Sequence, residues 1–89
     1  MKTYKMVEFN AEEIFEDESI DWKYCRDNAT YVHSDPGACE FIFYLSKDNF
    51  EPFRFLLKKM KDHDCSQELM KVFKEARNKE QADYLLLYI

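Results

Sequence analysis

Histidine and cysteine are the residue types in this sequence that could bind a metal ion. His33, Cys39, His63 and Cys65 would together supply four zinc ligands. Structural zinc sites usually draw their ligands in close pairs such as Cys-x₂₋₄-Cys, whereas the pairs here are His33-x₅-Cys39 and His63-x-Cys65. Because the spacing does not favour zinc, we predict no metal and no other cofactor.

A cysteine nucleophile with a histidine base is the second chemistry that these residue types allow. Cys25 or Cys39 would be the nucleophile, but no family signature surrounds either thiol. Cys25, Cys39 and Cys65 are odd in number and widely spaced, so one thiol stays unpaired in any disulfide scheme. We therefore expect reduced thiols that pack as small apolar residues, and no catalytic residue.

Negative charge is the clearest irregularity of the sequence. The formal net charge is −5, and seven carboxylates without an intervening basic residue lie between Lys5 and Lys23: Glu8, Glu12, Glu13, Glu16, Asp17, Glu18 and Asp21. Such a run attracts a basic surface and repels nucleic-acid phosphates. It predicts docking to a protein with a basic surface, even as a mimic of nucleic-acid charge, and no direct binding to nucleic acid. The alternative is a solvated helix that keeps a small protein soluble.

Two aromatic residues follow the acidic run and are candidate anchors for the same partner. Trp22 and Tyr24 have the large apolar bodies and polar tips that contribute most to binding energy at protein interfaces. Packing in the core explains them equally well. Together with the seven carboxylates, they form the predicted partner-binding site.

Length and composition indicate a small globular domain. The 89 residues form one compact domain, 1–89, and fifteen aromatic residues can build a core from few positions. No apolar run reaches the ~18 residues of a membrane-spanning helix, and the first six residues lack the apolar core of a signal peptide. We therefore expect a cytoplasmic protein that does not bind membranes.

The apolar run from Ala38 to Leu45 predicts a central strand. Its aromatic and β-branched residues favour a pleated surface, and alternate side chains would point to opposite faces. Ser34-Asp35-Pro36-Gly37 suits a tight turn, so Thr30–His33 before it predicts the other strand of a hairpin. A helix capped by Asp35 is the alternative.

Two further strands are predicted at the ends of the chain. Lys2 to Phe9 predicts the first strand, although its alternation is imperfect. Tyr84 to Ile89 predicts the last strand and is apolar on both faces, which is typical of a strand that is covered on both faces or central in the sheet.

Helix signals fill the remaining segments. Asn10 followed by Glu13 is close to a capping box and predicts a helix that ends near Glu18. Residues 19–28 fit either a strand or a helix, and we favour a helix with Ser19 as its N-cap. Apolar periodicity predicts a helix from near Asn49, and another from Asp64 or Ser66 to about residue 78.

These elements predict an α+β fold with a small mixed sheet of about four strands. The order is β-α-(α)-β-β-α-α-β, with helices mainly on one face. The predicted function is a non-enzymatic, acidic protein-binding module. Its size, acidity and lack of a catalytic motif resemble the small inhibitors that phages and mobile elements make against host enzymes, often those that handle nucleic acid. This resemblance is one of type, without a shared motif. The alternatives are a small Cys/His enzyme or metal-binding protein, and a structural subunit or homodimer.

Overall fold

Strands and helices form most of the chain in a computed structural model, which describes residues 3–15, 19–35 and 38–89. The helix Gln67–Lys74 continues into a π-helical segment, Glu75–Lys79. The elements, in chain order, are β1 (Met6–Asn10), α1 (Ile20–Asn28), β2 (Tyr31–Asp35), β3 (Ala38–Tyr44), α2 (Phe50–Asp62), α3 (Gln67–Lys74) and β4 (Tyr84–Tyr88). Four strands and three α-helices within these ranges confirm the predicted α+β fold.

The strands form one mixed sheet in the order β1-β4-β3-β2. β4 lies parallel to β1 and antiparallel to β3, so the last strand occupies the centre of the sheet, as its apolar faces predicted. β2 and β3 pair as the predicted antiparallel hairpin, with Tyr31 opposite Ile42. The turn predicted over Ser34 to Gly37 begins later than expected, because Ser34 and Asp35 still belong to β2; Pro36 and Gly37 lie outside the described residues.

Alternation along the strands separates the inner face of the sheet from the outer face. Phe41 and Phe43 of β3 and Leu85 and Leu87 of β4 are buried on the inner face. The helices contribute their own buried residues to the same cluster: Tyr24, Cys25, Phe53, Met60, Leu69, Met70 and Phe73. The rings of Phe43 and Phe73 meet edge to face at 4.8 Å between centroids, a favoured aromatic geometry. The helices therefore cover one face, as predicted.

Side-chain caps define where the helices begin. Ser19 Oγ accepts a hydrogen bond from the Trp22 amide, and Asn49 Oδ1 accepts one from the Glu51 amide. The amides of the first turn have no acceptor within the helix, and each cap supplies an acceptor to one of them. Residues 19–28 are thus helical, as favoured above, and α2 starts where the sequence indicates. Ser66 rather than Asp64 caps α3, through the Leu69 amide.

The helix predicted between Asn10 and Glu18 is wrong for the part that the structure describes. Residues 11–15 form a single turn, in which the amides of Ile14 and Phe15 both donate to the Ala11 carbonyl. Ala11 and Phe15 are buried, and the Phe15 ring packs edge to face against Phe41. One turn already places both apolar residues in the core, so tertiary contacts replace the longer helix that the capping pattern predicts.

We expect the two faces of β4 to differ in their contribution to stability. Leu87→Ala removes a fully buried side chain from the inner face and should lower the free energy of unfolding by about 2–5 kcal/mol. Leu86→Ala, on the half-exposed outer face of the same strand, is the matched control and should cost clearly less. Urea unfolding measures both, and equal losses would contradict the assignment of the faces.

Candidate binding surface

Asp21, one of the seven predicted docking carboxylates, points into the domain. Its side chain is buried, and it accepts hydrogen bonds from the Ser66 amide at 2.8 Å and from the Ser66 hydroxyl. The carboxylate thus lies near the N-termini of both α1 and α3, where helix dipoles favour negative charge. In this structure Asp21 joins two helices and is not available to a partner.

The two candidate anchors differ in their exposure. Tyr24 is only 3% exposed and its ring packs 5.5 Å from the His63 ring, so it is a core residue here. Trp22 is partly buried, and the Arg26 guanidinium lies 4.9 Å from its ring centroid in a cation–π contact. Core packing, the alternative left open by the sequence, therefore describes Tyr24.

The other carboxylates of the run divide between a strand and a turn. Glu8 is exposed on β1, and Glu12 and Glu13 are exposed in the turn after it. The Ala11 amide donates to the Tyr88 carbonyl, which holds this turn at the end of the sheet. Glu16, Asp17 and Glu18 lie outside the described residues. The acidic residues seen here are therefore not one helical face.

The outer face of the sheet carries exposed and partly exposed apolar side chains. We call it the open face and define it by the outward residues of the strands: Met6, Glu8, Asn10, Tyr31, His33, Glu40, Ile42, Tyr44, Tyr84, Leu86 and Tyr88. Side chains that are paired in register share a face, so Glu8, Leu86, Ile42 and Tyr31 form one row across all four strands. Tyr31 is 63% exposed, and Tyr44 and Met6 are each 45% exposed.

Tyrosines gather at one end of the open face around a cavity of about 300 Å³. The rings of Tyr4 and Tyr84 lie 6.0 Å apart and nearly perpendicular, and those of Tyr44 and Tyr84 lie 5.4 Å apart at 51°. Thr30, Tyr31, Asp48 and Asp83 complete the wall. No sequence motif marks these tyrosines, although strand alternation in the run from Ala38 to Leu45 puts Tyr44 on the face opposite Phe41 and Phe43.

Hydrogen bonds hold the Asp83 carboxylate and the loop that carries Asp48 in place. Asp83 Oδ2 accepts a hydrogen bond from the Lys5 amide at 2.9 Å, and the Asp83 carbonyl accepts one from the Leu45 amide. Arg77 donates to the carbonyls of Leu45, Ser46 and Lys47, which precede Asp48. The same guanidinium lies 4.8 Å from the Phe53 ring centroid. The loop that carries Asp48 is therefore tied to the core.

The thiols of α1 and of the segment before α3 are poorly suited to nucleophilic chemistry. Burial raises the pKa of Cys25, and burial with the nearby Asp21 carboxylate raises the pKa of Cys65 to about 11. Since the thiolate is the reactive form, both cysteines are held as thiols near neutral pH. His63 donates from Nδ1 to the Lys59 carbonyl. Within the described ranges, no three His, Cys, Asp or Glu residues are placed to hold a metal ion.

Across the described part of the chain, no helix is both long enough and apolar enough to cross a bilayer. Comparison of the chain with family models, curated proteins and solved structures found no match.

We expect the Asp21 contact to be structural. Asp21→Ala removes two hydrogen bonds to a charged acceptor and should lower the free energy of unfolding by about 1.5–3 kcal/mol. Asp27→Ala, in the same helix, removes an exposed carboxylate paired with Arg26 and should change stability by less than about 1 kcal/mol. Chemical denaturation checks both variants, and an unchanged Asp21→Ala protein would contradict this role.

Alkaline pH should destabilise the domain through its buried thiols. The pKa of Cys65 rises from 9.0 to about 11 on folding, so the unfolded chain loses this proton first and stability falls as pH rises between those values. Cys65→Ala should therefore lose less stability than the wild type over that interval. Urea unfolding at about pH 8 and about pH 10.5 measures the difference. Equal losses in both proteins would show that this thiol does not titrate as the structure indicates.

Proposed function

We propose that this chain is a non-enzymatic protein-binding module that docks on a basic surface of a partner protein through its open face. The observation that supports this proposal most directly is that one side of the sheet packs against helices while the other leaves tyrosines and aliphatic residues exposed. A contiguous exposed apolar surface rimmed by polar residues is typical of an interaction site.

The residue types on the open face suit protein recognition. Tyr31, Tyr44 and Tyr84 offer rigid rings with a polar hydroxyl, a combination enriched where binding energy concentrates. Ile42 and Leu86 lie between them, half-exposed in the middle of the sheet. A strand surface of this kind holds its side chains in place before binding, so the entropy lost on association is small.

Charge on and around this face favours a basic partner. Glu8 and Glu40 are exposed within the open face, and Glu12 and Glu13 lie in the turn beside it. The Lys5 side chain turns away and binds the Glu80 carbonyl at 2.6 Å. With the net charge of −5, these carboxylates would attract a basic surface at long range and raise the association rate.

An inhibitory role is the finer form of the proposal. Basic protein surfaces of this kind often bind nucleic-acid phosphates, and an acidic module that occupies one would exclude the nucleic acid. The enzyme alternative has less support, because Cys25, one of its two candidate nucleophiles, is fully buried and burial raises its pKa. The homodimer alternative through the last strand also has less support, since β4 is paired along both edges within its own chain.

Charge reversal on the open-face side tests the proposal. We expect the triple variant Glu8→Lys, Glu12→Lys and Glu13→Lys to reduce the association rate with a basic partner by about tenfold or more at low salt. The effect should shrink at high salt because free ions screen exposed charges. The partner is first identified as a protein that the immobilised wild type retains from a lysate more strongly than the variant does. Association rates of both proteins with the purified partner are then measured by surface plasmon resonance.

The matched control reverses three exposed carboxylates on the helical side of the domain. Asp27→Lys, Asp62→Lys and Glu75→Lys change the net charge equally but leave the open face intact. This control should keep most of the wild-type association rate. If both triple variants slow association equally, only net charge matters and the open face is not the docking surface. Concentration-dependent self-association of the wild type through this face would instead identify a second copy as its occupant.

A further inference from the structure

We propose that the tyrosine-lined cavity at the end of the open face binds an arginine side chain of the partner protein. The cavity is formed by Tyr4, Tyr31, Tyr44 and Tyr84, with the carboxylates of Asp48 and Asp83. This inference rests on the proposed function and names the chemical group that the partner would present. It is nevertheless testable without the partner.

The rings are arranged to surround a small group rather than to stack as a flat layer. Tyr84 is inclined by 71° to Tyr4 and by 51° to Tyr44, so the three rings form differently oriented walls. Tyr31 is 63% exposed and Tyr44 is 45% exposed, so both rings present aromatic surface to an incoming group. An aromatic face carries partial negative charge and attracts a cation within about 6 Å of its centroid.

The polar groups of the cavity select for positive charge. Asp83 is 8% exposed and is held by the Lys5 amide, whereas Asp48 lies exposed on the loop tied down by Arg77. None of the described residues that line the cavity is basic. A cationic side chain that enters would therefore meet two carboxylates and several tyrosine rings.

Arginine fits this combination better than lysine does. Its planar guanidinium stacks on aromatic rings, binds carboxylates with two parallel hydrogen bonds and is less strongly hydrated than an ammonium group. The chain itself uses the same chemistry elsewhere, since Arg26 lies over Trp22, and Arg77 lies over Phe50 and Phe53. Aromatic walls with nearby carboxylates therefore favour arginine as the occupant.

Short peptides test the cavity directly. Acetyl-Gly-Arg-Gly-amide, its citrulline analogue and its lysine analogue are titrated into the full chain, and binding is followed by NMR chemical shifts. The arginine peptide should bind at least about fivefold more tightly than citrulline, which has the same shape without the charge. The largest shifts should fall on the cavity residues. Equal binding of arginine and citrulline would overturn the inference, and equal binding of lysine would overturn the choice of arginine.

Variants with matched controls separate the cavity from the rest of the surface. Tyr31→Leu and Asp48→Asn should each weaken binding of the arginine peptide by about two- to fivefold. Phe55→Leu and Asp62→Asn remove an exposed ring and an exposed carboxylate outside the cavity and should leave binding unchanged. Loss in all four variants, or in none, would contradict the assignment of the site.

Failure of the arginine inference and failure of the docking proposal give different results. If the peptides fail to bind but the acidic triple variant still slows association with a partner, the arginine inference is wrong and docking through the open face stands. If the arginine peptide binds as expected but the acidic triple variant associates normally, the cavity is a cation site and the wider docking proposal is wrong.

Discussion

The pairing of β4 between β1 and β3 is the interaction on which the rest of the structure depends. β1 is joined to the sheet through β4, whose residues lie nearly 80 positions further along the chain. Asp83 reinforces this junction, because its carboxylate and amide bind the Lys5 backbone while its carbonyl binds the Leu45 amide. Leu85 and Leu87 place the same strand at the centre of the core. A parallel pairing over such a separation carries a large loop-closure cost, which packing of the intervening helices must offset.

The three helices cover one face of the sheet and leave the other face open. α1, α2 and α3 all contribute buried side chains to the cluster that contains Phe41 and Phe43. The outer side chains of the same strands then remain at the surface. Most of them are tyrosines or the aliphatic residues Ile42 and Leu86, whereas a solvated face usually carries mainly polar residues. This asymmetry is the reason for placing the binding surface there.

The acidic residues have at least two physical roles in this domain. Asp21 and Asp83 are buried and accept backbone hydrogen bonds that join segments distant in sequence. Glu8, Glu12 and Glu13 are exposed and contribute mainly to the surface potential. The composition alone does not distinguish the two, because a carboxylate has the same charge wherever it lies. Only the partners of each side chain show whether it stabilises the fold or attracts another molecule.

The sequence by itself determined the elements whose signals are local: the hairpin before and after residues 36–37, the capped starts of α1 and α2, and the apolar character that places β4 centrally. Tertiary structure decided what depends on distant residues. Burial of Ala11 and Phe15 replaced a predicted helix with a turn, and burial of Tyr24 made it a core residue. The tyrosine cavity is lined by residues as distant in sequence as Tyr4 and Tyr84. The register of β3 and β4 places Tyr44 directly opposite Tyr84 in its wall. Register is an outcome of packing over the whole chain, so no local pattern could reveal it.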